Sequence, residues 1–211
     1  MDIPMLGLLK GIVFGISMAI IPGPIFFLII QRTLNDGAFV GLLCGLGAIT
    51  ADCLYALIAV AGLTIIAHYL LAYQSLIVLL GGLFLIYLGI TTYIRHIEPL
   101  NENVITTSGK FHAWFSTFLL TLTNPVTIIS YTVIFGGLDV ASNTLASSLA
   151  LVFGVIIGAL LVVVCLLGTL TYFRRQISLH TLSLINKVAG VLLTCFGIAA
   201  VGRELIALAS R

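Results

Sequence analysis

The stretch Ile12-Val13-Phe14-Gly15-Ile16-Ser17-Met18-Ala19-Ile20-Ile21-Pro22-Gly23-Pro24-Ile25-Phe26-Phe27-Leu28-Ile29-Ile30 is apolar almost throughout and is broken once, at Pro22-Gly23-Pro24. An apolar run of about 18 residues or more is long enough to cross a bilayer core as a helix. Two prolines remove two backbone donors and clash with the preceding carbonyls, so the helix opens near its middle. In hydrocarbon, the freed carbonyls of Ala19 and Ile20 must be met by protein, water or a substrate, and broken helices therefore gather where there is a cavity. A plain kink would need only one proline.

Five further runs of the same kind follow: Ala38 to Ala67, Leu70 to Ile94, Ala113 to Phe135, Leu145 to Phe173 and Leu182 to Val201. With 61% apolar and 8% charged residues among 211, the composition excludes an ordinary soluble domain. Nine Lys and Arg against seven Asp and Glu leave a net charge of +2, too small and too dispersed for a nucleic-acid footprint. The expected architecture is an all-α integral membrane protein of six transmembrane helices, in one transporter domain over residues 1–211. The longest link, Arg95 to Lys110, is polar and turn-rich and separates two halves of three spans, about 1–98 and 110–211.

Orientation follows from the basic residues of the short loops. Arg32, Arg95, Lys110, Arg174 and Arg175 fall on the odd loops, which places those loops in the cytoplasm and both termini on the other side. Met1-Asp2-Ile3-Pro4 lacks a basic n-region, so the first run reads as a retained span rather than a signal peptide.

Halves of three spans run in opposite senses, the inverted-repeat plan of many secondary transporters. Gly82 to Ile90 overlays Gly190 to Ile198, with glycines seven apart in both. The fourth span carries its own proline break, Asn124-Pro125, near its midpoint, where the Asn amide offers a donor and an acceptor to the gap.

Asp52 is the one carboxylate inside a span, at the centre of the second, and an intramembrane ionisable group marks a functional position by default. It is the candidate proton-coupling residue. Pro22, Gly23, Pro24, Asn124 and Pro125 are the candidate substrate-binding residues, with Tyr55, one turn from Asp52, and Thr50 as further candidates for the cavity wall; for these two, interior packing is the plainer reading. Lys187 is a conceivable partner for Asp52, although snorkelling to the interface suits it better.

The remaining polar chemistry is sparse. Cys44, Cys53, Cys165 and Cys195 lie in apolar runs without a C-x-x-C pair, and His68, His96, His112 and His180 lack ligand spacing, so no metal site is expected. Gly45 and Gly47 do not make a nucleotide loop, since Thr50 stands where a third glycine is needed, and no cofactor is expected. A membrane-embedded aspartyl protease would require a second carboxylate, so an enzyme is not expected. The glycine pairs Gly11 and Gly15, Gly41 and Gly45, and Gly154 and Gly158 read as close helix packing, with a homodimer seam as the alternative.

In order and spacing these residues resemble the LysE family of amino-acid exporters, which includes the RhtB-type homoserine and threonine exporters. The resemblance covers the whole chain: Pro22-Gly23-Pro24 in the first span, Gly41 and Gly47 ahead of Asp52 in the second, and Tyr87-Leu88-Gly89 closing the third. Asn124-Pro125 in the fourth span and Asn186-Lys187-Val188-Ala189-Gly190 in the last complete it. Two departures bear on the substrate: Ala51 stands where many members have Gly, and Val126 follows Asn-Pro where many have Lys. The resemblance implies export of an amino acid or similar small metabolite across a bacterial inner membrane, driven by an ion gradient. An ion or divalent-cation exporter and a non-transporting membrane scaffold are the alternatives.

Overall fold

The structure, a computed structural model, describes residues 3–60, 73–94, 107–124, 127–128, 130–131, 144–174 and 179–209. Among them the chain forms seven helices: α1 (Ile3–Ile20), α2 (Pro24–Asp36), α3 (Ala38–Val60), α4 (Gln74–Tyr93), α5 (Thr107–Thr123), α6 (Leu145–Arg174) and α7 (Leu179–Ala209). Four of these, α3, α4, α6 and α7, are long and apolar enough to cross a membrane. A fifth crossing is possible in length if α1 and α2 together count as one broken span, bent by 71°. The protein is thus an all-helical membrane protein among the described residues.

The first expected span is where the structure departs most from a single rod. Helical backbone starts at Ile3 rather than Ile12, stops at Ile20 and resumes at Pro24 in a new direction. Pro24 occupies the first turn of α2, where its missing N–H has no intrahelical partner to lose and its fixed φ suits the helix. At the other end Gly37 adopts φ +102°, a conformation open to glycine, and its N–H donates to the Thr33 carbonyl at 3.2 Å. So α2 is a short helix set between two glycine joints.

Helix pairing follows the small residues. Along α1, any side chain at Gly7, Gly11 or Gly15 would run into the backbone of Ser147, Leu151 or Val155 of α6, and Gly154 and Gly158 of α6 abut Leu8, Ile12 and Ile16 of α1. In the same way Gly47 of α3 abuts the Trp114 carbonyl and Phe118 amide of α5. Between α4 and α7, Gly82 meets Gly197 and Gly89 meets Gly190. Gly41 and Gly45 of α3 face Thr33 of α2 and Leu167 and Val163 of α6. These glycine faces are therefore occupied within the chain, against neighbouring backbone on α1, α6, α4, α7 and α5 and against side chains at Gly41 and Gly45, where dispersion contacts accumulate in place of a hydrophobic drive.

The wedge α2 fills the space between two groups of helices. On one side Leu28 joins Leu85, Leu88, Leu120 and Leu193, from α4, α5 and α7. On the other, Ile29 joins Val40, Cys44, Ala113, Ala159 and Val163, from α3, α5 and α6. Beyond these apolar contacts, Asn35 and Asn186 form a buried reciprocal amide pair across α2 and α7, with N···O distances of 2.5 and 3.3 Å. Deleting either partner would leave the other amide unsatisfied in a dry interior, at a cost of about 1–3 kcal/mol.

Candidate functional site

Where α1 stops and α2 begins, helix geometry leaves the last carbonyls of α1 and the first amides of α2 without intrahelical partners. Gly23 caps α2 with no side-chain hydrogen bond and an extended backbone, φ −142° and ψ −175°. Among the described residues the amides of Ile25 and Phe26 have no backbone partner, because the Phe27 amide is the first to reach back, to the Gly23 carbonyl at 3.1 Å. This gap opens on a cavity of about 510 Å3, within the usual range for small-molecule sites.

The cavity wall includes Pro22, Gly23 and Pro24 from the break, Ala48, Ile49 and Asp52 from α3, and Thr121, Asn124 and Thr127 around the second break. Ala159 and Val163 of α6 and Phe196, Ala199, Ala200, Arg203 and Glu204 of α7 also contribute to it. Five of the sequence-expected residues, Pro22, Gly23, Pro24, Asp52 and Asn124, thus share one wall. The expected Pro125 lies outside the described residues. A wall that is mostly apolar with a few convergent polar groups is suited to bind a small ligand with orientation.

Two expected lining residues are placed elsewhere. Tyr55 turns away from the cavity, and its hydroxyl donates to the Leu122 carbonyl at 2.6 Å, near the end of α5. Thr50 is exposed and bonds the Leu46 carbonyl of its own helix at 2.7 Å. Lys187 is exposed and is not part of the cavity wall.

Behind Asp52 lies an aromatic group that the sequence reading missed. The Tyr131 hydroxyl lies against the Asp52 carboxyl. Its ring stacks on Tyr55 at 5.5 Å and 26°, and Phe14 meets it edge-on at 5.1 Å and 82°. Tyr131 is 3% exposed, so the ring is locked by packing and Asp52 is held from behind by a fixed hydroxyl. Arg203 and Glu204 were also missed as wall residues. Their signal was faint: two adjacent charges near the end of an otherwise apolar run.

The family described as LysE type translocator matches residues 16–203, from the helix before the first break to Arg203. The chain belongs to this family. LysE type translocators are membrane transporters and not enzymes. This translocator is also similar to YcgF of Bacillus subtilis (strain 168), a protein assigned to amino acid efflux, with 29% identity over 195 residues, 90% of this chain and 92% of the relative. No solved structure matches it.

Proposed function

We propose that this translocator exports an amino acid, or a similarly small zwitterionic metabolite, from the cytoplasm across a bacterial inner membrane in exchange for protons. The observation that carries the reading is the meeting of both helix breaks and Asp52 on one cavity. A broken helix presents free carbonyls on one side and free amides on the other, so it suits both ends of a zwitterion. The α2 amides of Ile25 and Phe26, at the positive end of the helix dipole, suit the carboxylate, and the α1 carbonyls suit the ammonium. Gly23 leaves the backbone accessible, and Asn124 adds a neutral polar contact from the second break. Asp52 is the proton-exchanging group and Tyr131 its positioning residue. The relative's assignment to amino acid efflux supports the same substrate class.

A 3+3 inverted repeat supplies the alternating access that such export requires. Exchanging the halves turns the α1·α6 pair into the α5·α3 pair, and both occur. The exchange maps Gly82 onto Gly190 and Gly89 onto Gly197, so the contact Gly82·Gly197 becomes Gly190·Gly89, which also occurs. These pairings support the repeat. The cavity runs along the C-terminal part of α7, past Ala199 and Arg203, while α2 and the Asn35·Asn186 pair close the opposite end. With the odd loops cytoplasmic, this conformation faces outward, and α2 is the cytoplasmic gate.

The test is counterflow of a labelled amino-acid panel in proteoliposomes, with and without a pH gradient. At least one amino acid should exchange in the wild type, and Asp52→Asn should retain exchange while losing gradient-driven accumulation. Absence of exchange across the panel refutes the substrate class, and undiminished uphill transport by Asp52→Asn returns that residue to structure.

A further inference from the structure

Away from the central cavity, a second groove of about 880 Å3 runs between the start of α3 and the last turns of α6, with Phe39, Leu42, Leu167, Gly168 and Tyr172 among its walls. Gly168 leaves a slot in it, since a side chain at that position would meet nothing within 4 Å. Two cations stand at one end. The Lys110 ammonium lies 5.4 Å from the centroid of the Phe39 ring. Arg174, one turn beyond the groove-lining Thr171, has its Nη1 4.0 Å from the point where a Gly37 side chain would begin, beside Ala38 and Phe39.

The two cations differ from Arg32, which is paired with Asp36 at 3.1 Å. Nε and Nη2 of Arg174 are buried and have no hydrogen-bond partner among the described residues. Those two nitrogens are closed off from the groove, so a phosphate there would meet Arg174 through Nη1, the nitrogen nearest Gly37, as a charge-assisted contact. The apolar part of the groove extends from Tyr172 back to Val164, about 12 Å along the helix, close to the roughly 15 Å hydrocarbon depth of one leaflet.

We propose that this groove is a binding site for an anionic phospholipid, with the phosphate between Lys110 and Arg174 and an acyl chain along Leu42, Leu167 and the Gly168 slot. Charge complementarity selects the headgroup, and the apolar slot selects a lipid over a free anion. The site does not depend on which solute the translocator carries.

Native mass spectrometry of the full-length chain, released from micelles containing phosphatidylglycerol and phosphatidylcholine with matched acyl chains, tests it. The wild type should retain phosphatidylglycerol about tenfold over phosphatidylcholine, because both carry the phosphate but the trimethylammonium of choline would be repelled by the same two cations. Lys110→Gln combined with Arg174→Gln should bring the ratio to about one. Gly168→Leu keeps both cations, fits the open space and fills the slot, so it should lower retention of both lipids. Inorganic phosphate at millimolar concentration should leave the phosphatidylglycerol adduct in place. Equal retention of the two lipids by the wild type, an unchanged ratio in the double variant, unchanged retention in Gly168→Leu, or displacement of the lipid by phosphate would each overturn the proposal.

Discussion

The two helix breaks begin from similar chemistry and end in different states. At the first, Ile20 to Pro24, the chain turns by 71°, Gly23 supplies no side-chain cap, and the amides of Ile25 and Phe26 are left to the cavity. At the second, the backbone is stitched across the gap. The Asn124 amide bonds the Thr121 carbonyl at 3.3 Å, the Ile128 amide bonds the Asn124 carbonyl at 3.1 Å, and the Tyr55 hydroxyl satisfies Leu122. Among the described residues, one break leaves backbone groups to the cavity, while the other has hydrogen bonds reaching across it. A proline in a span therefore does not by itself make a binding site. What decides the outcome is whether neighbouring donors are close enough to take the orphaned carbonyls before a ligand does.

The largest effect should come from filling the open break. A side chain at Gly23 meets nothing nearer than the Ile21 carbonyl at 3.9 Å, so the fold has room for Gly23→Val. Its branches would instead occupy the backbone approach to the ligand. Substrate binding, measured by scintillation proximity on purified protein, should fall below detection while the melting temperature changes little. Normal affinity in this variant would remove the first break from the site.

A smaller effect is expected from undoing the repair of the second break. Tyr55→Phe removes the donor to Leu122 and keeps the stack on Tyr131. It should cost about 1–3 kcal/mol of stability, the usual penalty for a buried unsatisfied acceptor, seen as a lower melting temperature. If stability is unchanged, the Tyr55 hydroxyl is not what satisfies the Leu122 carbonyl. The smallest effect belongs to Asn124→Ala, which trims one polar contact from the cavity wall. Affinity should weaken by about 1 kcal/mol, roughly fivefold, with the number of binding sites unchanged. Loss of binding as complete as that expected of Gly23→Val would make the two breaks equal partners and end the contrast between them.

How legible these regions were depends on what a hydropathy window measures. The start of α3 at Ala38 and of α6 at Leu145 coincide with the expected run starts, because Gly37 marks one helix boundary and the apolar pattern marks the other. Direction is not encoded in hydropathy, so the turn at Pro22-Gly23-Pro24 was readable as a break but not as a wedge leading into α2. Helix ends that protrude from the apolar zone were also cut short. Thr107 to His112 belong to α5 despite their polarity, and α7 continues past Arg203 and Glu204 to Ala209. At the site, Asp52 stood out because a charge in a span is rare. Tyr131 did not, since an aromatic ring in an apolar run looks like any other packing residue until the fold brings it to Asp52. For Tyr55, cavity lining and interior packing both fitted the sequence, with packing the plainer of the two. Its position on α3 is near Asp52, but its long side chain carries the hydroxyl past the cavity to α5.

The Asn35·Asn186 clasp also bears on how α2, if it is the gate proposed above, would sense its surroundings. Both groups are uncharged amides, and the charges on the same helix, Arg32 and Asp36, travel together as a neutral pair. Swinging α2 away from α7 would therefore carry almost no net charge through the membrane field, in which each elementary charge is worth about 2.3 kcal/mol per 100 mV. The gate would be electrically silent, and any dependence of turnover on membrane voltage would have to enter through the cargo or through the proton at Asp52.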